Sequence, residues 1–176
     1  MNALEQLQAS LNQEADRRKQ VSQKNSIASK KAEDQKTQWR NRAHELTVSI
    51  IEPALKEFAQ ISGDDFSINY RPVKSNYSTE DKPILAGGTL EIWFSKNSDG
   101  SKAKEKAVLI IATGEAGYQF EVNGFPNPIS SYDYNYDLDR AEGSYIKNVK
   151  IPLEQISKDK IDEYAKHVIN QYTVSF

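Results

Sequence analysis

The sequence predicts an α+β protein in which a long N-terminal helix precedes an antiparallel β-meander of four to five strands and a C-terminal helix. Apolar residues repeat at helical spacing between residues 39 and 61 and then alternate after Gly63, as they do in strands. Helical spacing returns after Pro152. Because a run of strands followed by a helix is typical of α+β folds, we expect the C-terminal helix to pack on one face of the sheet.

The helix at residues 39–61 is predicted to face the core. Val48, Ile51 and Leu55 lie on its opposite flank and predict burial on a second side. Pro53 lacks an N–H and should kink or break the helix. The helix should end at Ser62-Gly63, where glycine adopts the left-handed cap conformation. Seven side chains share one stripe about 120° wide on the helical wheel, namely Trp39, Ala43, Leu46, Ile50, Ala54, Phe58 and Ile61.

Alternating apolar residues define the predicted strands. Gly87-Gly88 predicts a bulge or bend, and residues 123–128, with two prolines, are expected to form a loop. In the C-terminal helix, Ser157 is the expected N-cap, and Ile161, Tyr164 and Val168 should face the core. The strands are expected at residues 66–71, 84–96, 106–113 and 118–122, with a further short strand at 129–138; the third is apolar on both faces and should be central.

Charge is distributed unevenly along a chain whose net charge is only −2. Residues 17–42 contain nine basic and two acidic residues, whereas residues 63–145 contain eight basic and thirteen acidic residues. We therefore expect a polar helical extension over residues 1–38, basic in its second half, and a mildly acidic α+β domain over residues 39–176. The chain contains no cysteine, which excludes disulfides and thiolate chemistry. No apolar signal or membrane segment is present, so we expect a cytoplasmic protein without a membrane partner.

The N-terminal extension shows a partial heptad pattern. Eight of the fourteen seam positions between Leu4 and Ser49 are apolar, while Glu14, Arg18 and Gln35 interrupt the seam. A mostly polar helix buries too little surface to be stable alone, so we expect a coiled-coil homodimer or docking on another protein. The residues predicted to pair are Leu4, Leu7, Leu11, Val21 and Ala28.

The segment Tyr132–Asp139 has two interpretations. Its tyrosines, Tyr132, Tyr134 and Tyr136, form either a contact surface or one half-buried side of a strand. Asp133, Asn135, Asp137 and Asp139 alternate with them and resemble the start of a calcium loop. Leu138 and Ser144, however, occupy the positions that require Gly and Glu, so no metal or cofactor is assigned.

No catalytic constellation is recognisable in the sequence. There is no G-x-S-x-G elbow, no P-loop and no cysteine nucleophile. His44 and His167 lie at the apolar-to-polar boundaries of predicted helices, where surface or capping roles are expected. We therefore do not expect an enzyme.

Two functions remain from the sequence. The first is a non-enzymatic protein–protein interaction module, whether regulatory, immunity-like or chaperone-like, that self-associates or docks through its N-terminal helix. The alternative is nucleic-acid binding by the basic helix at residues 17–42, whose cations would contact phosphates. The residues predicted to do so are Arg17, Arg18, Lys19, Lys30 and Lys31.

Overall fold

The computed structural model describes residues 3–94, 105–114, 117–128 and 144–174. It divides into two compact units, Met1–Gln38 and Trp39–Phe176. The α+β class, the antiparallel sheet and the C-terminal helix packed on one sheet face are confirmed. The helices are α1 (Ala3–Leu46), α2 (Glu52–Ala59) and α3 (Lys158–Val174), with a π-helical turn at Thr47–Ile51 and a 3₁₀ turn at Leu153–Gln155; the strands are β1 (Ser62–Gly63), β2 (Phe66–Lys74), β3 (Leu85–Phe94), β4 (Glu105–Thr113), β5 (Gln119–Pro128) and β6 (Ile146–Pro152).

The described sheet has six strands in sequence order, every neighbouring pair antiparallel, rather than the four to five predicted. β1 is too short, at two residues, to show an alternating pattern. β6 contains Asn148 at φ 46°, opposite an irregularity in β5 between Val122 and Gly124. This bulge breaks the two-residue period of β6 and hides the strand in the sequence. The strand predicted at residues 129–138 lies outside the described residues.

Two strands continue through prolines at which the sequence predicts an end or a loop. β2 passes Pro72, and β5 includes Pro126 and Pro128. In the described residues, β1 pairs only with the start of β2, and the pairing of β6 with β5 extends no further than Gly124. Among the described strands, these prolines therefore have a neighbour on one side only, where a residue without an N–H is tolerated.

The π-helical turn shifts the buried face of the core helix by one residue. The backbone N–H of Glu52 donates to the carbonyl of Thr47, five residues earlier, which inserts one extra residue into the turn. As a result Ile51 is fully buried, while Ile50 is only half-buried. Pro53 follows in the first turn of α2, where no intrahelical N–H bond is needed. The expected interruption thus takes the form of a π turn that ends before Pro53.

The flanks and the end of this helix also differ from the prediction. Val48 and Ile61 are exposed, so burial on a second side is not observed at Val48 and the predicted inner stripe does not extend to Ile61. α2 ends at Ala59, and Gln60 caps it with a right-handed φ of −81°. Gly63 belongs to β1, so the predicted left-handed cap at this glycine is wrong.

The main core lies between the sheet and the helices. Leu109 and Ile111 of β4 face the helices, whereas Val108 and Ile110 lie in a second buried cluster on the opposite sheet face. The prediction that this strand is central and covered on both sides is therefore confirmed. In α3, Ile161 and Val168 are fully buried and Tyr164 half-buried, and the hydroxyl of Ser157 accepts from the backbone N–H of Lys160 at 3.4 Å.

The predicted bulge at Gly87-Gly88 is confirmed. The pairing of β2 with β3 moves from Val73 opposite Gly87 to Lys74 opposite Leu85, which leaves Ala86 unpaired. Gly87 has φ +144°, and an ideal Cβ there would lie 1.9 Å from the carbonyl oxygen of Ile111. Only glycine fits this close approach of β3 to β4.

Substitution Gly87→Ala should therefore lower the free energy of unfolding by at least about 2 kcal/mol, because backbone atoms must move. The control is Gly114→Ala, whose added Cβ would meet only the end of the Glu121 side chain, at 3.3 Å. The control should cost less than about 1 kcal/mol. Urea unfolding followed by circular dichroism measures both. Equal midpoints for the two variants would contradict this bulge geometry.

Candidate functional site

The N-terminal unit presents a helix without a buried face. Residues 6–38 are exposed apart from Glu14, which is half-buried. Leu7 and Leu11 are 57% and 62% exposed, and Val21 is also exposed. At 100° per residue these three side chains lie within about 80° of one another around the helix. Ile27, also exposed, lies on the opposite side.

The structure brings most of the predicted pairing residues to one side of α1. Ala28 is exposed and extends the stripe formed by Leu7, Leu11 and Val21. Leu4 lies in the same helix, but its side chain is outside the described set. The predicted tyrosine row, Tyr132, Tyr134 and Tyr136, also lies outside the described residues, as does the acidic cluster beside it.

Several of the predicted phosphate-binding cations have acidic partners within the helix. Arg17 and Arg18 both donate to Glu14, with Nε–Oε distances of 2.7 and 2.9 Å, and Lys19 lies 4.0 Å from Asp16. The guanidinium of Arg17, and then that of Arg18, holds the pKa of the Glu14 carboxyl below its usual value. These cations already interact locally, so contact with phosphates would compete with pairs that stabilise the helix.

A charged cluster lies on the sheet face opposite the main core. The carboxylate of Glu91, 1% exposed, accepts from Lys106 Nζ at 3.0 Å and from Trp93 Nε1 at 3.3 Å. Arg71 Nε lies 3.6 Å from the same carboxylate, and Lys106 Nζ lies 4.8 Å from the centre of the Trp93 ring. Leu90 and neighbouring alternate residues face the helices, so Glu91 and Trp93 must face the other way.

The geometry of this cluster favours a structural role over a chemical one. Both oxygens of Glu91 are engaged by cations or an indole N–H, so the carboxylate is held as an ion-pair partner rather than as a general base. Sequence reasoning missed it because a glutamate between Leu90 and Ile92 looks like a solvent-facing strand residue. The informative signal was on β4, where Val108 and Ile110 make the same sheet face apolar.

A second surface feature joins four residues from three parts of the chain. We call Trp39, Arg40, Tyr77 and Tyr118 the aromatic platform. The rings of Trp39 and Tyr118 meet edge to face, with centroids 5.6 Å apart. The guanidinium of Arg40 lies over the Tyr77 ring, 3.7 Å from its centroid. Tyr77 is 59% exposed and Tyr118 is 48% exposed.

Short hydrogen-bonded loops hold these two tyrosines. In the loop after β2, the N–H of Ser75 donates to the carbonyl of Ile84 at 2.8 Å, and the N–H of Ile84 donates to the hydroxyl of Ser78 at 3.0 Å. Before Tyr118, Gly117 has φ +73° and donates its N–H to the carbonyl of Gly114. The loop that carries Tyr77 is thus closed by one backbone bond and one bond to a serine hydroxyl, and Gly117 next to Tyr118 is joined to Gly114 by a backbone bond.

Neither histidine belongs to a described catalytic arrangement. His44 Nδ1 accepts from the backbone N–H of Leu85 at 3.0 Å and so ties α1 to the start of β3. His167 Nε2 lies 3.3 Å from the carbonyl oxygen of Tyr145. Within the described residues, no group of three or more His, Cys, Asp or Glu is arranged to hold a metal ion.

Comparisons with known proteins point to no function, so the function has to be argued from the surfaces of this chain. No family model matches the chain, and no curated protein and no solved structure is significantly similar to it. None of the described helices is both long enough and apolar enough to cross a lipid bilayer.

The structural role of the charged cluster is tested by a double-mutant cycle on Glu91→Gln and Lys106→Met. Each single change removes one member of the buried ion pair, so the remaining charge loses its nearest partner, and should destabilise the fold by about 3 kcal/mol. The double change should cost clearly less than the two singles together, because the pair is removed as a unit. The free energies come from urea unfolding.

The matched control is the more exposed pair Glu52 and Lys56, whose charged atoms are 2.6 Å apart. Its Glu52→Gln and Lys56→Met cycle should show a coupling below about 1 kcal/mol. If the loss in free energy of unfolding in the double variant equals the sum of the two single losses at Glu91 and Lys106, the buried contact does not hold the strands together.

Proposed function

We propose that this protein is a non-enzymatic interaction module that forms a homodimer, or docks on a partner protein, through its N-terminal helix. One observation carries the proposal: residues 6–38 of α1 are helical yet exposed, with Leu7, Leu11 and Val21 on one side. The cellular role we propose is regulatory, immunity-like or chaperone-like, in the cytoplasm.

The free energy of helix formation favours a partner for this stripe. Most helical stability in proteins comes from packing an apolar face, which residues 6–38 lack in one copy of the chain. Full burial of a leucine side chain contributes about 1.5–3 kcal/mol, and Leu7 and Leu11 are each more than half exposed. Pairing two copies buries this surface twice, which offsets part of the entropy cost of association.

The charges in the predicted seam are compatible with pairing. Glu14 and Arg18 occupy seam positions, and in the structure Arg18 Nε donates to Glu14 Oε1 at 2.9 Å. A charge that is already neutralised by a neighbour in its own helix costs less to bring into an interface than an isolated charge. The interruption of the heptad pattern is therefore partly relieved within each helix.

The proposal is tested by absolute mass from size-exclusion chromatography with light scattering. The wild-type chain should elute at twice the 19.9 kDa of one copy. The triple variant Leu4→Asp, Leu7→Asp and Leu11→Asp should be monomeric, because six charges cannot be buried together. Ile27→Asp places the same charge on the opposite side of the helix and should leave the mass unchanged.

Circular dichroism at the same concentration checks that each variant keeps its fold. A monomeric wild-type chain, or a triple variant with the wild-type mass, would rule out helix-mediated self-association.

Nucleic-acid binding by the basic helix remains the second candidate. It is favoured by the exposure of Lys30 and Lys31 on α1. Labelled single- and double-stranded DNA and RNA should then bind with an affinity that falls steeply as salt increases. The triple variant Arg17→Gln, Arg18→Gln and Lys19→Gln should bind more weakly, whereas Lys166→Gln on α3 should not. Absence of binding by any of these nucleic acids in low salt would dispose of this candidate.

A further inference from the structure

We infer that the partner of the N-terminal helix is a second copy of this chain that runs antiparallel to the first. The two-fold axis lies beside residue 16, so that residues 3–29 of each copy pair along their seam positions. This orientation rests on the proposed self-association through α1 and specifies how the two helices meet.

The charged seam positions of α1 distinguish the two possible orientations. In a parallel pair in register, identical residues face each other, which places Glu14 against Glu14 and Arg18 against Arg18. In the antiparallel pair, Glu14 of each copy faces Arg18 of the other, because the two residues lie two positions on either side of residue 16. By two-fold symmetry this contact between opposite charges forms twice. Like charges that face each other at an interface cost free energy, so the antiparallel orientation is favoured.

The same register brings apolar seam residues together. Leu11 faces Val21 of the second copy, and Leu4 faces Ala28, with each contact again made twice. Leu7, the fifth residue predicted to pair, faces an asparagine. Leu11 and Val21 are 62% and 47% exposed in one copy, so the antiparallel pair buries apolar surface on both sides of its charged centre.

The distribution of charge along α1 also favours the antiparallel orientation. Residues 3–16 include three acidic residues and no Lys or Arg, whereas residues 17–29 include four basic residues and no Asp or Glu. Antiparallel pairing places each acidic half beside a basic half, and parallel pairing places like beside like. The axes of packed helices lie about 8–10 Å apart, which is comparable with the Debye length of about 8 Å at physiological salt. These charges therefore act across the pair.

Contacts within one helix hold the central charges beside the seam. Arg18 Nε donates to Glu14 Oε1 at 2.9 Å, a bond that uses one of the five N–H groups of a guanidinium. Arg17, which flanks the seam, donates from Nε and Nη2 to the two oxygens of Glu14 at 2.7 and 2.9 Å. The Glu14 side chain is only 38% exposed. Its carboxylate is thus positioned by two cations of its own helix, and an antiparallel partner adds a third.

The orientation is tested with nitroxide labels, because the chain contains no cysteine and single cysteines can be introduced without competing thiols. Gln13→Cys and Ser26→Cys lie outside the seam and are exposed in one copy. At a rise of 1.5 Å per residue, antiparallel pairing separates the two labels along the helix axis by about 9 Å at residue 13 and about 30 Å at residue 26. In a parallel pair in register this separation is about zero at both. Double electron–electron resonance on the full chain should therefore give a clearly longer distance for Ser26→Cys.

A charge reversal tests the register. Glu14→Arg places two cations opposite each other at both central contacts and should raise the dissociation constant of the dimer at least about tenfold in sedimentation equilibrium. Glu14→Gln, which removes the carboxylate without adding a cation, should have a smaller effect. The matched control is Glu33→Arg, the same change in the same helix beyond the paired segment, which should associate like the wild type. Circular dichroism checks that each variant keeps its helix content.

The outcomes separate this orientation from self-association itself. Equal label distances at the two positions in a chain of dimer mass would show a parallel pair and overturn the inference, while leaving the proposed self-association intact. A dimer in which Gln13→Cys gives the longer distance, or whose dissociation constant Glu14→Arg does not change, would overturn the register around residue 16. A wild-type chain of monomer mass would instead overturn the proposed self-association, and the orientation with it.

Discussion

The burial of β4 on both of its faces is the constraint on which the rest of the α+β unit depends. Leu109 and Ile111 complete the core under the helices, and Val108 with Ile110 make the opposite face apolar. A glutamate on that second face cannot be solvated, so Glu91 needs the ammonium of Lys106. A one-residue slip of β3 would turn this carboxylate into the helix-side core, so the ion pair also fixes the strand register.

The elements of the fold were predictable from apolar periodicity, but their boundaries were not. The π turn displaces the buried position from Ile50 to Ile51, and no pattern of apolar residues reveals an inserted helical residue. Pro72 was interpreted as a strand end because the sequence does not show that this part of β2 has only one neighbour among the described strands. The bulge at Asn148 breaks the alternation of side chains along β6, so the sequence pattern did not predict this strand. In each case tertiary context overrides a correct local rule.

The two candidate surfaces, the apolar stripe of α1 and the aromatic platform, also differ in whether the sequence could predict them. The stripe of Leu7, Leu11 and Val21 was predictable because its members share one helix and occupy seam positions of one heptad pattern. The aromatic platform was not, because Trp39, Tyr77 and Tyr118 come from a helix and two loops, and only the fold brings them together. Tyr118 was assigned to a strand on its alternation with Phe120, yet it precedes β5 and is exposed. Clusters assembled across distant segments leave no local pattern.

The exposed part of α1 has a physical basis even before any partner binds. Nucleation is the costly step of helix formation, and the buried residues Ala43 and Leu46 fix the last turns of the same helix. Residues 2–38 contain neither Gly nor Pro and are rich in strong helix formers, so the helix can propagate from those turns. The proposed association would then have to bury the Leu7 and Leu11 stripe without ordering the backbone. A helix preformed in this way would bind at a lower entropic cost than a segment that folds on contact, so the proposed self-association would require less apolar burial.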